Sequence, residues 1–389
     1  MDIYEEAVKL HLEYGGKLSI TPKFKIKNRH DLSLAYTPGV ARVCEEVRDD
    51  PERAYDLTIK KNTVAIITDG SAVLGLGNIG PLAALPVMEG KAVLFKEYAD
   101  VDAIPICLDT QDVDEIVRTC EILAPAYGGI NLEDISAPRC FEVERRLQSL
   151  DIPVFHDDQH GTAIVLLAAL YNAIKLAGKK MKDIKIVING AGAAGSAIME
   201  MLLCYGYENC DIKPVKDVIM LDSKGIIHHS RPDVEKAPQK AHIASISNKE
   251  NLSGTLIDAV GDADILVGVS QPNMFTTEMI QKMSTKPIIF AMSNPIPEIM
   301  PEHAKEAGAF IVGTGRSDFP NQVNNVLAFP GIFRGALDAR ARHITPAMKI
   351  AAAKALADYV ETPTVDEVIP SPLEKKVASA ISEAVQKAI

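Results

Sequence analysis

Two acidic pairs and one glycine-rich loop stand out as residues whose types and spacing can do chemistry. FHDDQHGTA, Phe155 to Ala163, sets Asp157 and Asp158 between the apolar run IPVF and the apolar run TAIVLLAALYNAIKLAG. Acids in that position lose hydration, which costs free energy unless something compensates it. GGINLEDISAP carries a second pair, Glu133 and Asp134, again after an apolar stretch. The four carboxylates thus sit at two strand-end-like positions. Oxygen donors without neighbouring cysteine suit a hard cation, Mg²⁺ or Mn²⁺, rather than zinc. The other reading is that Asp157 or Asp158 caps a helix beginning at Gly161, and spacing alone does not choose between them. His156 and His160 read by default as polar residues at the start of that helix.

GAGAAG, Gly190 to Gly195, fits G-x-G-x-x-G, follows the strand-like KIVIN and opens the helix-like AAGSAIMEMLLCYG. That context makes it a dinucleotide loop. Gly190 permits the turn, Gly192 lets backbone approach a pyrophosphate, and Gly195 allows close helix–strand packing. Ala193 and Ala194 lie at the helix N-terminus, whose free N–H groups face phosphate. Asp222 ends the next strand and suits a ribose diol, which leans towards NAD. Lys224 and Arg231 nearby can receive the 2′-phosphate of NADP. The choice between the cofactors stays open.

These residues need a scaffold, and the chain supplies one. Strand-like runs at 63–69, 103–109 and 152–157 alternate with helical patterns such as 113–125. A second series follows at 185–190, 217–222, 263–270, 287–295 and 309–315. The alternation predicts an α/β protein with parallel sheets and ligands at the carboxyl ends of the strands. We expect two domains: an N-terminal α/β domain over 1–156 and a Rossmann-like doubly wound domain over 157–389. The helices after about 345 would pack back on either. Length, 389 residues, and a composition 47% hydrophobic and 24% charged fit a soluble globular protein. No sequence run approaches the roughly eighteen apolar residues that span a bilayer. Six scattered cysteines without a CxxC pair read as reduced thiols, and the acidic N-terminus lacks an export signal, so a cytoplasmic location is expected. The net charge of −11 argues against nonspecific nucleic-acid binding.

Seven separated stretches, in order, resemble the malic enzyme family, and its short prokaryotic-type members most closely. They are SLAYTPGVA (33–41), TDGSAVLGLGNIGP (68–81), MEGKAVLFK (88–96), NLEDI (131–135), HDDQHGTA (156–163), MSNPIPE (292–298) and QVNNVLAFPGIFRGAL (322–337). The resemblance runs from about residue 15 to 340. It implies metal-dependent oxidative decarboxylation of L-malate to pyruvate and CO₂ with reduction of NAD or NADP. By motif matching, Glu133, Asp134 and Asp158 would hold the metal, with Asp157 supporting them. Lys91 matches the general base and Tyr36 the general acid. Asn294 and Asn325 match positions that bind the substrate, with Asn294 also near the cofactor. The first domain would supply Tyr36, Lys91, Glu133 and Asp134, the second the nucleotide site and both asparagines, with the substrate in the cleft between.

One departure is visible. Longer family members carry an arginine where this chain has Ala72, so a bidentate clamp on the second carboxylate is missing there. The family is oligomeric, and a homodimer is the expectation, with a small-molecule substrate and no membrane or nucleic-acid partner. Two other readings remain: a malolactic-type lyase that retains its nicotinamide and releases lactate, and a silent dinucleotide sensor. The sensor predicts loss of Lys91, Tyr36 or the acids, all of which are present.

Overall fold

Runs such as TVAIIT and KIVIN are rich in β-branched residues and apolar at nearly every position, the pattern of strands covered on both faces. The structure, a computed structural model, describes residues 2–207 and 209–389. Its first four strands are β1 (Thr63–Thr68), β2 (Asp102–Cys107), β3 (Gly129–Leu132) and β4 (Val154–His156). They form an all-parallel sheet in the order β2-β1-β3-β4. The next six are β5 (Lys185–Asn189), β6 (Asp217–Asp222), β7 (Gly225–Ile226), β8 (Ile265–Gly268), β9 (Ile288–Ala291) and β10 (Ile311–Thr314). Their order is β10-β9-β8-β5-β6-β7, parallel except for the short edge strand β7. At two residues β7 is too short to leave a periodicity that can be read.

Both acidic pairs follow strands of the first sheet: Glu133 and Asp134 come directly after β3, Asp157 and Asp158 directly after β4. These two strands are hydrogen-bonded neighbours, pairing Leu132 with His156, so the carboxylates emerge side by side. In the second sheet β6 lies on one side of β5 and β8 on the other. The strand order therefore reverses at β5, and a crevice opens at the carboxyl ends there.

The Gly80–Ala99 helix buries Ala84, Met88, Lys91, Ala92, Phe95 and Ala99, a stripe at helical spacing. Lys91 is part of that stripe, carried into the interior by its apolar neighbours. One turn later Phe95 meets Phe329 at 4.7 Å and Phe333 at 5.4 Å between ring centroids. The Thr162–Ala177 helix is apolar all round and buried along most of its length, and one hydrophobic core runs through it from Val64 and Phe95 to Ile186 and Phe290. A π-helical turn, Asp157–Gly161, precedes it, so the α-helix starts one residue later than expected.

Taken with that turn, residues Asp157–Ala177 are long and apolar enough to cross a membrane, which corrects the expectation that no run comes close. Polar residues interrupt the linear run but not the helix. Most of its apolar window, 72%, is buried inside the protein, which marks it as a core helix. The C-terminal helices do pack back. Pro346–Asp358 lies on Thr162–Ala177, while Lys376–Gln386 lies on Phe329–Asp338 and reaches the Gly80–Ala99 helix.

Truncating Phe95→Ala should cost about 3–5 kcal/mol in denaturant unfolding, because the cavity opens between two helices that cannot collapse onto each other. A cost under about 1 kcal/mol would show that the aromatic cluster is not what ties these helices together.

Candidate active site and cofactor crevice

Where the two sheets face each other a cleft of ≈ 1190 Å³ opens, lined among others by Lys91, Glu133, Asp134, Asp158, Asn294 and Asn325. The carboxyl end of β3 contributes Glu133 and Asp134, the turn after β4 contributes Asp157 and Asp158, and the Gly80–Ala99 helix contributes Lys91. Lys91 Nζ donates to Glu133 Oε1 at 2.8 Å and to Asp157 Oδ2, and lies 4.3 Å from the Phe329 ring centroid. Asn325 Nδ2 also donates to Asp157 Oδ2, and Asn131 Nδ2 donates to Glu133 Oε2 at 2.8 Å. The Asp134 backbone N–H donates to Asp158 Oδ2 at 2.7 Å, which ties the two pairs together.

Asp157 and Asp158 do not cap the following helix, since neither side chain accepts from its first turn. The carboxylates point at one another instead. Glu133, Asp134 and Asp158 each bring an oxygen within 4.8 Å of the others. Asp134 Oδ2 is buried with no hydrogen-bond partner, and Asp134 sits at φ 55°, a conformation that costs a non-glycine residue free energy. An orphaned carboxylate oxygen beside two other carboxylates fits a hard divalent cation as its missing partner.

The electrostatics agree. Burial pushes Glu133 up to about 8, Lys91 opposing and the other acids reinforcing. Burial together with Asp158 and Glu133 pushes Asp134 up to about 9. Asp157 rises to about 6 through burial, against the pull of Lys91. Asp158 is also buried, yet His156, Lys91 and the Asp134 N–H outweigh that and hold it below its ordinary value. Lys91, matched to the general base, is held as an ammonium. Burial pulls it down, but Asp157, Glu133 and Asp158 outweigh burial and raise it above an ordinary lysine. Those same carboxylates are what a divalent ion would neutralise, so a free Lys91 amine belongs to the ion-bound state.

Behind the acids lies a network that the sequence did not reveal. His156 and His160 are interior groups rather than polar helix-start residues: His156 Nε2 lies 3.3 Å from Asp158 Oδ2, and its Nδ1 meets Gln159. Gln159 donates to Glu144 Oε2 at 2.7 Å, and His160 Nε2 lies 2.6 Å from Glu144 Oε1. Glu144, from the Arg139–Leu147 helix, is held down to about 2: burial opposes, but His160, Lys349 and His156 prevail. The π-helical turn turns these side chains to one side, and Gly161 permits it, because a Cβ there would lie 1.8 Å from Asp157 Oδ1. The signal available in sequence was only polar residues with no repeat of spacing.

On the opposite wall, Gly192, Ala193 and Ala194 line the cleft. At Gly195 a Cβ would lie 1.9 Å from Gly190 O, so the loop closes on the helix only with glycine there. Glu298, fully buried, accepts the N–H groups of Ser270 at 3.1 Å and Ser293 at 3.0 Å. It thereby fixes the ends of β8 and β9 beside Asn294, a role with no pattern in the sequence. Asp222 is paired rather than free: Arg231 donates to Oδ1 at 2.9 Å, and Lys240 Nζ lies 2.6 Å from Oδ2. Lys224 lies instead 3.3 Å from Asp233. Tyr36 is not brought to the cleft; it is 69% exposed.

Two measurements probe this geometry. Burial raises Glu133 and Asp134 well above ordinary carboxyls, and a metal binds carboxylates, so Mn²⁺ binding at pH 7 should release protons. Apparent affinity should then strengthen with rising pH, by up to about tenfold per pH unit for each proton displaced. Calorimetry in buffers of different ionisation enthalpy measures this, and binding without proton release would contradict the protonated acids. Gly195→Ala should weaken binding of reduced nicotinamide cofactor by about tenfold or more in a fluorescence titration, as the loop must move to admit the methyl.

Known proteins resemble this chain along its length. Residues 15–148 match the malic enzyme N-terminal domain, and residues 159–389 match the malic enzyme NAD-binding domain. The chain is 57% identical to the bifunctional malic/malolactic enzyme of Bacillus subtilis, over 100% of this chain and 93% of that protein. It is 54% identical to the NAD-dependent malic enzyme of Geobacillus stearothermophilus, over 100% of this chain and 79% of that one. The crystal structure of the NAD-dependent malic enzyme of Thermotoga maritima superposes with a TM-score of 0.94 at 49% identity, covering 98% and 99% of the two chains. With both family domains matched in order and relatives aligned over its whole length, the chain belongs to the malic enzyme family.

Proposed function

We propose that this protein catalyses the oxidative decarboxylation of L-malate to pyruvate and CO₂ with reduction of NAD or NADP, using Mg²⁺ or Mn²⁺. The observation that carries the reading is the buried Lys91 ammonium meeting Glu133 and Asp157, beside the partnerless Asp134 oxygen, in the cleft that the dinucleotide loop also lines. Glu133, Asp134 and Asp158 would hold the cation, which would supply Lewis-acid polarisation of the substrate's C2 oxygen. NAD(P), when bound against the glycine loop, would supply the acceptor for the C2 hydride.

The chain's own groups manage the protons. Lys91, once its amine is free, takes the C2 hydroxyl proton as the hydride leaves. Asp157 holds the Lys91 nitrogen in place and is itself held by Asn325. After CO₂ departs, C3 takes a proton to give pyruvate; Tyr36, matched by motif to this acid, lies outside the cleft of its own chain. Asn294 and Asn325 orient the substrate with neutral amides, which add no charge to an acidic cleft. Residues 1–156 form the unit that carries Glu133, Asp134 and Lys91, and 157–389 the unit that begins with Asp157 and Asp158 and binds the nucleotide, with Gly190, Gly192, Ala193, Ala194, Gly195 and Asp222 on the cofactor. The Asp222–Arg231–Lys240 pairing offers a carboxylate to a diol and cations to a 2′-phosphate. The buried apolar helix suits a cytoplasmic enzyme, and a homodimer is the assembly we propose.

A second reading has one observation behind it: the Bacillus subtilis relative is named for malolactic activity as well. Net reduction of cofactor separates the two. With L-malate and Mn²⁺, NADH or NADPH should accumulate in step with pyruvate and stop when EDTA is added. Malate consumed to lactate without accumulating reduced cofactor would replace the dehydrogenase reading with the lyase.

A further inference from the structure

A substrate such as L-malate brings two carboxylates into a cleft that is already acidic. The cation that Glu133, Asp134 and Asp158 would hold can meet the carboxylate next to C2. The C4 carboxylate, at the other end of the carbon chain, must find positive charge elsewhere. Among the described residues two lysines, Lys91 and Lys17, and no arginine line the cleft. Lys91 is already shared between Glu133 and Asp157. Ala72, whose N–H donates to Asp134 O at 3.0 Å, brings only a methyl to that wall.

Lys17 is placed differently. Its Nζ donates to Pro86 O at 2.8 Å, a neutral carbonyl rather than a carboxylate. Glu89 accepts the Lys17 backbone N–H at 3.1 Å and so pins the chain, not the ammonium, to the Gly80–Ala99 helix. Gly16 allows that approach, since it sits at φ 104° and a Cβ there would lie 3.1 Å from Glu89 Oε1. Burial outweighs the opposing Glu89 charge and pulls Lys17 below an ordinary lysine. A partly desolvated ammonium with no carboxylate on it is unexpected in a chain of net charge −11, and a ligand anion would satisfy it. Its location suits the substrate. A Cβ on Gly90 would lie 3.6 Å from Lys17 Nζ, and Gly90 directly precedes Lys91 on the helix wall of the cleft.

We propose that the Lys17 ammonium binds the C4 carboxylate of the substrate and is the residue that selects a dicarboxylate. The proposal rests on the malate reading above. C4 is the carboxylate lost as CO₂, and its charge leaves as the C3–C4 bond breaks and the electron pair moves towards C2. A rigid bidentate clamp would hold that charge where it starts and oppose the step. A single ammonium on a flexible stem can grip the carboxylate and return to Pro86 O as the charge departs. Lys17 therefore contributes to substrate binding rather than to the rate of the chemical step.

Steady-state kinetics of K17M and K17R with Mn²⁺ test this, with oxalate as a competitive inhibitor. Oxalate can chelate the metal but has no carbon chain that reaches towards Lys17. K17M should raise the KM for L-malate by about tenfold or more, the worth of one charged hydrogen bond. Its kcat should stay within about threefold of wild type, because uniform binding is what is lost. Its inhibition by oxalate and its affinity for reduced cofactor should not change, and K17R should recover most of the malate affinity. An unchanged malate KM would overturn the proposal. Equal losses towards malate and oxalate would overturn it too, by showing a disturbed cleft, and a loss confined to the cofactor would place Lys17 on the nucleotide. K17Q serves if K17M does not fold by circular dichroism, since either variant keeps the backbone N–H that Glu89 accepts. Wild-type protein that reduces no cofactor with malate would instead remove the malate reading itself, a failure seen before any variant is compared.

Discussion

A lysine ammonium buried among carboxylates is expensive to build, and much of this structure exists to make it possible. Each charge loses its water, and attraction repays that only when the geometry is good and the remaining lone pairs are satisfied. Lys91 reaches the interior because its helix presents it within an apolar stripe anchored by Phe95. Its partners are positioned by the adjacent, parallel strands β3 and β4, which end at the same level. Removing either side would strand uncompensated charge, so the Gly80–Ala99 helix and the first sheet are bound by electrostatics as well as by packing.

Three acids beyond what one ammonium can neutralise leave the centre short of positive charge. The raised Glu133 and Asp134 and the orphaned Asp134 oxygen are expressions of the same deficit. A divalent ion answers it, and would release Lys91 to act as a base. Stability and chemistry thus pull against each other in its absence, which is common where catalytic groups are concentrated. The His156–Gln159–Glu144–His160 network extends the arrangement inward and fixes Asp158 from behind, so the centre rests on a rigid floor rather than on solvent.

The nucleotide side is simpler, because backbone does most of the work. The turn after β5 needs glycine where the helix meets the strand, and the reversal of strand order opens the crevice. Glu298 ties β8 to β9 beneath it. One continuous core joins both sheets through the Thr162–Ala177 helix, so the two walls of the cleft are held by the same packing.

The sequence by itself determined the local chemistry. The strands were legible because a fully covered parallel sheet requires nearly every side chain to be apolar. The dinucleotide loop was legible because close backbone approach admits only glycine, and the acidic pairs because charge beside apolar runs needs a reason. Lys91 and Tyr36 were visible only through resemblance, since neither spacing nor composition distinguishes them from surface residues. Only the tertiary structure decided which groups meet. It turned Asp157 from a possible cap into the partner of Lys91, made His156 and His160 interior groups, paired Asp222 with Lys240, and left Tyr36 outside the cleft. Those outcomes depend on contacts between residues far apart in the chain, whose distances are set by strand order and helix packing and leave no periodic trace in the sequence.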